Sequence, residues 1–343
     1  MKRINLALQG GGAHGAFTWG VLDRLLDEDD IEVAAISGTS AGALNGAAFK
    51  AGMVAGGRDA ARANLNWFWE QVGAITAPAA QDWLSAFAPT VGTWATLTEV
   101  SPGYQAFDMI ARMTSPYVYG SLFRNPLARI VSDMRFDEIC APDGPALFVG
   151  ATNVRTGKIR VFSGDAVTAD ALMASACLPT IFEAVEIHDP RTDRTEAYWD
   201  GGYTGNPPLF PLYQPQFPDD TVIVNINPLV RDELPKTAEA ISNRINEIGF
   251  NTTLLNELRS IAFVQRLLAT GAVKPGTMKS VKIHMIEDDA LMNELNVATK
   301  TFPQPVILAR LKAAGRAAAD DFLAAHKSDL NTRSTIDLAA MFS

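Results

Sequence analysis

Residues 36–42 read ISGTSAG, and this stretch decides the fold that the sequence predicts. The apolar run before it is typical of a buried strand, and the small residues and helix formers at 41–48 predict a helix. Between the two, the pattern Gly-x-Ser-x-Gly places Ser40 on a tight strand-to-helix turn at the carboxyl end of a sheet. Gly38 and Gly42 suit this turn because a side chain at either position would crowd it. Such a short pattern also arises by chance in ordinary turns, so the stretch alone leaves both interpretations open.

A second glycine-rich turn, GGGAHG at residues 10–15, directly follows a predicted strand at 4–9 and precedes a predicted helix. Free backbone N–H groups and the helix dipole make such a turn an anion site, for a phosphate or for a developing oxyanion. Gly10, Gly12 and Gly15 also fit the dinucleotide pattern Gly-x-Gly-x-x-Gly. Taken alone, the turn therefore fits a nucleotide site and an oxyanion hole equally well.

The sequence that follows the glycine-rich turn argues against a dinucleotide site. The acidic cluster at 27–30 precedes the second predicted strand, whereas the acid that binds a ribose is expected at the end of that strand. A Gly-x-Ser-x-Gly turn then follows the second strand, and a dinucleotide site has no need of it. These two observations favour an oxyanion hole.

The composition is that of a globular protein. The 343 residues can bury a large core, and the hydrophobic fraction of 48% is too high for a disordered chain. The net charge of -9, without a basic run, disfavours nucleic acid as a partner. Cys140 and Cys177 make no disulfide framework, and no Cys/His cluster has zinc spacing. No secretory signal and no apolar stretch of about 18 residues is visible, so we expect a cytoplasmic location without a transmembrane helix.

Three motifs occur in a fixed order along the chain: GGGAHG at 10–15, GTSAG at 38–42 and DGG at 200–202. In this order and approximate spacing they resemble the patatin-like phospholipase family. The segment ASACLPTIF at 174–182 is also similar to the small-residue helix and proline segment of that family. The resemblance covers roughly residues 4–230.

The resemblance implies a three-layer α/β/α sandwich with a mostly parallel central sheet and a Ser–Asp catalytic dyad. Carried over to this sequence, the dyad is Ser40 and Asp200, and the oxyanion hole contains the N–H groups of Gly11 and Gly12. The other motif positions expected around the site are Gly10, His14, Gly15, Gly38, Gly42, Gly201 and Gly202. This chain departs from the family at position 14, where the family usually carries Arg or Lys and this chain has His14.

The residues themselves also favour an aspartate over a histidine as the base. None of the four histidines follows an acid in a triad pattern: His14 lies in the glycine loop, His188 in a predicted turn, His284 on a predicted strand at 281–286 and His326 in the last predicted helix. A serine needs a base to become a nucleophile near neutral pH. Asp200 is the better candidate if a partly dry site raises its pKa.

We predict a single domain over residues 1–343 with two additions. Residues 73–123 form an insertion rich in aromatic residues and proline, predicted to be a helical cap that lines an acyl pocket. A small helical subdomain with its own aromatic core is the alternative. Residues 235–343 are predicted to be a helix-rich C-terminal extension.

The function predicted from these features is a serine-dependent lipid acyl hydrolase of the phospholipase A or esterase type. It would need no metal ion or organic cofactor, and its substrate would be a lipid or another acyl ester, with transient contact at a membrane surface. Two other classes stay open: a nucleotide-binding oxidoreductase of the Rossmann type and a non-catalytic protein that binds lipid surfaces. The oligomeric state is not predicted.

Overall fold

An eight-stranded mixed sheet forms the centre of the computed structural model, which describes residues 1–76, 91–99, 101–102, 104–105, 109, 113–119, 125–274 and 276–343. The strands are β1 (Lys2–Leu8), β2 (Ile31–Thr39), β3 (Ala146–Asn153), β4 (Ile159–Ser163), β5 (Val185–Asp189), β6 (Arg194–Asp200), β7 (Asp220–Val224) and β8 (Lys282–Ile286). Their order is β5-β6-β3-β2-β1-β7-β8, and β4 pairs with β3. Strands β3, β2, β1, β7 and β8 are parallel neighbours, whereas β4, β5 and β6 pair antiparallel.

Twelve helices are described in these ranges. They are α1 (Ala16–Leu25), α2 (Ala41–Ala74), α3 (Val91–Glu99), α4 (Pro116–Tyr119), α5 (Leu127–Ser132), α6 (Phe136–Ile139), α7 (Ala169–Ser175), α8 (Ala238–Ala269), α9 (Asp289–Asn293), α10 (Val297–Thr301), α11 (Pro305–His326) and α12 (Leu338–Met341). Short 3-10 helices cover Gly12–Gly15, Gly164–Ala166, Gly201–Tyr203 and Phe210–Tyr213. No helix in the described ranges has the length and apolar character that crossing a membrane requires.

Helices cover both faces of the sheet, so the molecule has the three-layer α/β/α architecture that the resemblance implies. Leu6 and Leu8 of β1 belong to a buried cluster with α1, α2 and α11. Ala7, between them, belongs to a second cluster with α8 and α12. Successive side chains of a strand point to opposite faces, so the two clusters lie on opposite sides of the sheet. β7 is buried over its whole length, as expected for a central strand of a parallel sheet.

The C-terminal part of the chain completes both the sheet and its cover. β8 extends the sheet in parallel beside β7, α8 contributes to the second cluster and α11 packs against α1. The predicted strand at 281–286 corresponds to β8. The described residues of 235–343 contain five helices and one strand, and the division into a single domain with a helix-rich extension stays a prediction.

Most of the predicted cap at 73–123 lies outside the described residues. Of its described part, α3 is hydrogen-bonded to Asn296, whose side-chain amide donates to the Ala95 carbonyl oxygen at 3.1 Å. Tyr104 is buried and meets the ring of Phe302 edge-on, with ring centroids 5.8 Å apart. These contacts attach the described part of the insertion to residues 296–302. Whether its aromatic side chains line a pocket over Ser40 stays a prediction.

Candidate active site

Ser40 and Asp200 meet because β2 and β6 share one edge of β3. β2 runs parallel to β3 and ends with Thr39 opposite Gly150. β6 arrives from the other direction and ends with Asp200 opposite Ala151. β4 pairs with β3 over the same residues and therefore occupies the other edge. The two strands consequently meet end to end, which brings two residues far apart in the sequence to one place.

Ser40 lies on the predicted strand-turn-helix elbow, between the end of β2 and the start of α2. Its φ angle is 53°, in the left-handed region that non-glycine residues rarely adopt. The Ser40 N–H donates to Ser175 Oγ at 2.8 Å, and that hydroxyl donates to the Gly150 carbonyl oxygen at 2.7 Å. A Cβ at Gly42 would lie 2.1 Å from the carbonyl oxygen of Leu8, so the elbow requires glycine there. Contacts from α7 and from the end of β1 therefore hold a strained serine in place.

Asp200 is buried, with 2% of its surface exposed, and its carboxyl lies close enough to Ser40 for that side chain to stabilise the ionised form. Burial raises the pKa of Asp200 to about 7, because a desolvated carboxylate is disfavoured. Two groups oppose this shift by stabilising the carboxylate: the Gly202 N–H, which donates to it at 2.8 Å, and the Ser40 side chain. The carboxyl is therefore able to exchange a proton near neutral pH.

The turn after β6 is tight because a backbone carbonyl group and an aromatic ring lie in close contact with it. A Cβ at Gly201 would lie 2.2 Å from the carbonyl oxygen of Gly150, and one at Gly202 would lie 2.0 Å from the ring of Phe250. These contacts explain why the Asp-Gly-Gly motif carries two glycines. They also place an aromatic ring of α8 directly beside the Asp200 turn.

The glycine loop lies against Ser40 at the carboxyl end of β1. A Cβ at Gly10 would lie 2.8 Å from Ser40 Cβ, which places the loop beside the serine. The Gly10 N–H donates to Asn206 Oδ1 at 2.7 Å, and its carbonyl oxygen accepts from Asn227 Nδ2 at 2.8 Å. Within the part of the chain that the structure describes, the N–H groups of Gly11 and Gly12 have no hydrogen-bond partner. The loop thus offers two backbone donors.

His14 follows these donors and is almost fully buried. Its Nε2 hydrogen-bonds Thr299 Oγ1 at 2.8 Å. Burial, and secondarily the charge of Lys300, lower the pKa of His14 well below its usual value. The imidazole is therefore neutral near pH 7 and supplies no positive charge for an anionic head group. Its hydrogen bond to Thr299 attaches the glycine loop to α10.

The other three histidines have partners elsewhere. His284 is buried and bonds Asp220 Oδ1 at 2.9 Å; since Asp220 begins β7, this pair lies at the opposite end of the parallel strands from Ser40. His326, at the end of α11, bonds Asp329 at 3.1 Å. The prediction that His188 lies in a turn is wrong, because residues 185–189 form β5, which pairs antiparallel with β6.

Comparison with protein-family models matches residues 6–213 to the family described as Patatin-like phospholipase. The chain belongs to this family. Both Ser40 and Asp200 lie within the matched residues of this patatin-like phospholipase. No curated protein sequence matches the chain. Among solved structures, VipD from Legionella pneumophila is similar, with 14% identity and a TM-score of 0.40 over 95% of this chain and 67% of that chain.

Sequence reasoning missed the polar side chains that hold the glycine loop of this family member. Gln9 Oε1 accepts from the N–H groups of Ile226 and Asn227 at 2.9 and 3.1 Å, and its amide donates to Asn251 Oδ1 at 3.2 Å. Asn206 then bonds Gly10 as described above. The sequence carries a signal for them, because Gln9 directly follows β1 and Asn227 lies three residues after the end of β7, at the carboxyl ends of central parallel strands, where α/β proteins place their sites.

The described residues contain no group of three or more His, Cys, Asp or Glu side chains that could hold a metal ion. The groups that meet at the site are therefore a serine hydroxyl, a buried carboxyl and backbone N–H donors. Together they can move a proton from the hydroxyl to the carboxylate and bind an anion at the glycine loop.

Proposed function

We propose that this patatin-like phospholipase is a lipid acyl hydrolase in which Ser40 is the nucleophile and Asp200 the general base. The observation that carries the proposal is the meeting of Ser40 with a buried carboxyl: β2 and β6 end beside each other on β3, and burial raises the pKa of the Asp200 carboxyl to about 7. A base with a pKa near the working pH is the most effective one. The strained elbow at Ser40, which is typical of catalytic serines, supports the same assignment.

In the proposed mechanism Ser40 Oγ attacks the ester carbonyl carbon while Asp200 accepts the hydroxyl proton. The N–H groups of Gly11 and Gly12, with that of Ala41 as a third donor, stabilise the tetrahedral oxyanion. Asp200 then donates the proton to the departing alcohol, which leaves an acyl-serine. A water molecule attacks the acyl-serine as Asp200 accepts its proton, and the fatty acid is released as Ser40 is restored. These steps use only protein groups and water.

The acyl chain of the substrate would find an apolar wall beside Asp200. The ring of Phe250 touches the Asp200 turn and lies 5.4 Å from the ring of Tyr203, which is 47% exposed. Ile241, Ile245 and Ile248 of α8 are also exposed and share one face of this helix, which is a different face from that of Phe250. We propose that the exposed isoleucine face makes the transient contact with lipid. A cytoplasmic location likewise remains our proposal.

A fluorophosphonate probe tests the nucleophile. It should label the wild-type protein at Ser40, as located by peptide mass spectrometry, and leave Ser40→Ala unlabelled. Ser37→Ala is a matched control, because the Ser37 hydroxyl is buried on β2 and donates to the Pro208 carbonyl oxygen, so this variant should still be labelled. Labelling that persists in Ser40→Ala would refute the assignment. Labelled protein that hydrolyses no ester in a lipid panel would favour the non-catalytic lipid-binding alternative.

Gly12→Val is expected to lower kcat by about 100-fold or more, because it displaces one oxyanion donor. The φ angle of Gly12 is 58°, and a Cβ there would lie 2.4 Å from the carbonyl oxygen of Lys300. Gly271→Val is the matched control, since Gly271 has a φ of 72° but open space around it. Kinetics on a soluble ester should show the loss only in Gly12→Val. Micromolar binding of NAD or FAD in titration calorimetry would instead favour the oxidoreductase alternative.

A further inference from the structure

Lys300 lies beside the glycine loop, and the proposed mechanism leaves it without a role. Its Nζ donates to Asn227 Oδ1 at 3.0 Å, and the Asn227 amide donates to the Gly10 carbonyl oxygen at 2.8 Å. Its own carbonyl oxygen lies against Gly12, as the position of a Cβ there shows. Lys300 therefore reaches the loop at two points, through its backbone at Gly12 and through Asn227 at Gly10.

The charge of Lys300 is not neutralised by direct contact. The acid whose charge acts on Lys300 is Glu247 of α8, which is 6% exposed. Glu247 already accepts from Arg231 at 2.6 and 2.8 Å and from Arg244 at 3.2 Å. Within the described residues Lys300 has no salt bridge of its own, and the group facing it from the loop is the neutral His14. Arg231 also interacts with Asp289 of α9, so three cations face two carboxylates, and the cluster still carries net positive charge behind the loop.

We infer that Lys300 is a positioning residue of the oxyanion hole, which holds Gly10 through Asn227 and adds positive potential at the N–H groups of Gly11 and Gly12. Charge developing on a substrate oxygen at these donors would be stabilised by a nearby cation in a partly dry site. The inference rests on the proposed function. Asn227 and Lys300 lie outside residues 6–213, so the family match assigns them nothing.

A pH profile follows from this arrangement. Burial lowers the pKa of Lys300 to about 8, with the charge of Glu247 opposing the shift. Asp200 must be ionised to act as base, so kcat/KM should rise as pH increases through about 7. Lys300 must be protonated to supply its charge, so kcat/KM should fall again as pH increases through about 8. The fall should be partial, because a neutral amine still donates to Asn227.

The experiment compares the wild-type protein with Lys300→Met, Lys300→Arg and Lys312→Met on an uncharged soluble ester from about pH 6 to about pH 10. Lys300→Met should lower kcat by about tenfold to a hundredfold with little change in KM, and should lose the alkaline limb. Lys300→Arg should keep most of kcat and move the alkaline limb above the measured range, because arginine stays charged. Lys312 is a half-buried lysine on α11 over Trp19, and its replacement should leave the profile unchanged.

Several outcomes would overturn the inference. Lys300→Met with wild-type kcat and an alkaline limb still near pH 8 would remove Lys300 from the reaction. Equal losses in Lys300→Met and Lys300→Arg would show a packing role only. A rise in KM confined to anionic phosphatidylglycerol micelles would make Lys300 a head-group site instead. If Lys300→Met fails to fold, a wild-type profile without an alkaline limb still refutes the inference. Failure of the proposed function is separate, because the wild-type protein would then show no labelling of Ser40.

Discussion

Asp200→Asn is expected to lose more than about a hundredfold in kcat, or about 3 kcal/mol or more of transition-state stabilisation. The amide oxygen can still accept the hydrogen bond from the Gly202 N–H, so the turn keeps its shape. An amide cannot take the proton of Ser40, however, and the nucleophile loses its base. The measurement is kcat on a soluble ester, with circular dichroism to verify the fold.

Single alanine variants of the histidines are the controls for this prediction. His188→Ala, His284→Ala and His326→Ala should keep most of their activity, because each histidine has its partner away from Ser40. A collapse of kcat in any of the three, with the fold intact, would replace the dyad by a triad. His14→Ala should alter substrate preference more than rate, since its ring shapes the loop from the side of Thr299.

The same Asp200→Asn variant is expected to be more stable than the wild-type protein at pH 8, by about 4 kcal/mol. The pKa of Asp200 is about 7 in the folded protein and 3.8 in the unfolded chain. As pH rises from about 4 to about 7, the unfolded chain loses this proton before the folded protein does, so the free energy of unfolding falls. Asparagine has no proton to lose, and its advantage should shrink again as pH is lowered toward about 4.

Urea unfolding at several pH values measures this difference. Asp189→Asn is a control with the opposite sign, because hydrogen bonds from Arg191 hold the pKa of the buried Asp189 carboxyl well below its usual value. That variant should be less stable than the wild-type protein at pH 8, with a deficit that disappears as pH falls through the folded pKa. An advantage of Asp200→Asn that does not change with pH would contradict the raised pKa.

The parts of the site that the sequence predicts are those fixed by local backbone geometry. The elbow at 36–42 and the Asp-Gly-Gly turn require glycine at definite positions, because backbone or a ring presses on them. That requirement leaves a motif in the sequence. The side chains that support the glycine loop leave no such motif in the sequence. Asn206, Asn227 and Lys300 reach Gly10 and Gly12 only after distant strands and helices have packed.

The strand β5, which the sequence predicts as a turn, shows the limit of predicting turns from single residues such as proline. Residues 185–189 read VEIHD, an alternation of apolar and polar residues that is typical of a strand. The Asp-Pro pair at 189–190 predicts a turn and does end the strand, but the turn does not extend into the four residues before it. The predicted cap at 73–123 is hard to interpret for another reason. Its prolines divide the sequence into pieces too short to show the periodicity of a helix or a strand.

The pairing of both β2 and β6 with one edge of β3 has a consequence for the chain while it is being synthesised. A nascent chain that has emerged only as far as β3 already carries Ser40, but its base lies at the end of a strand not yet made. Lys300 leaves the ribosome later still. Chains begin to fold from the amino terminus as they are made. Under the proposed mechanism the serine therefore lacks its base until β6 has docked on β3, and a chain that has emerged only as far as β3 should hydrolyse no ester.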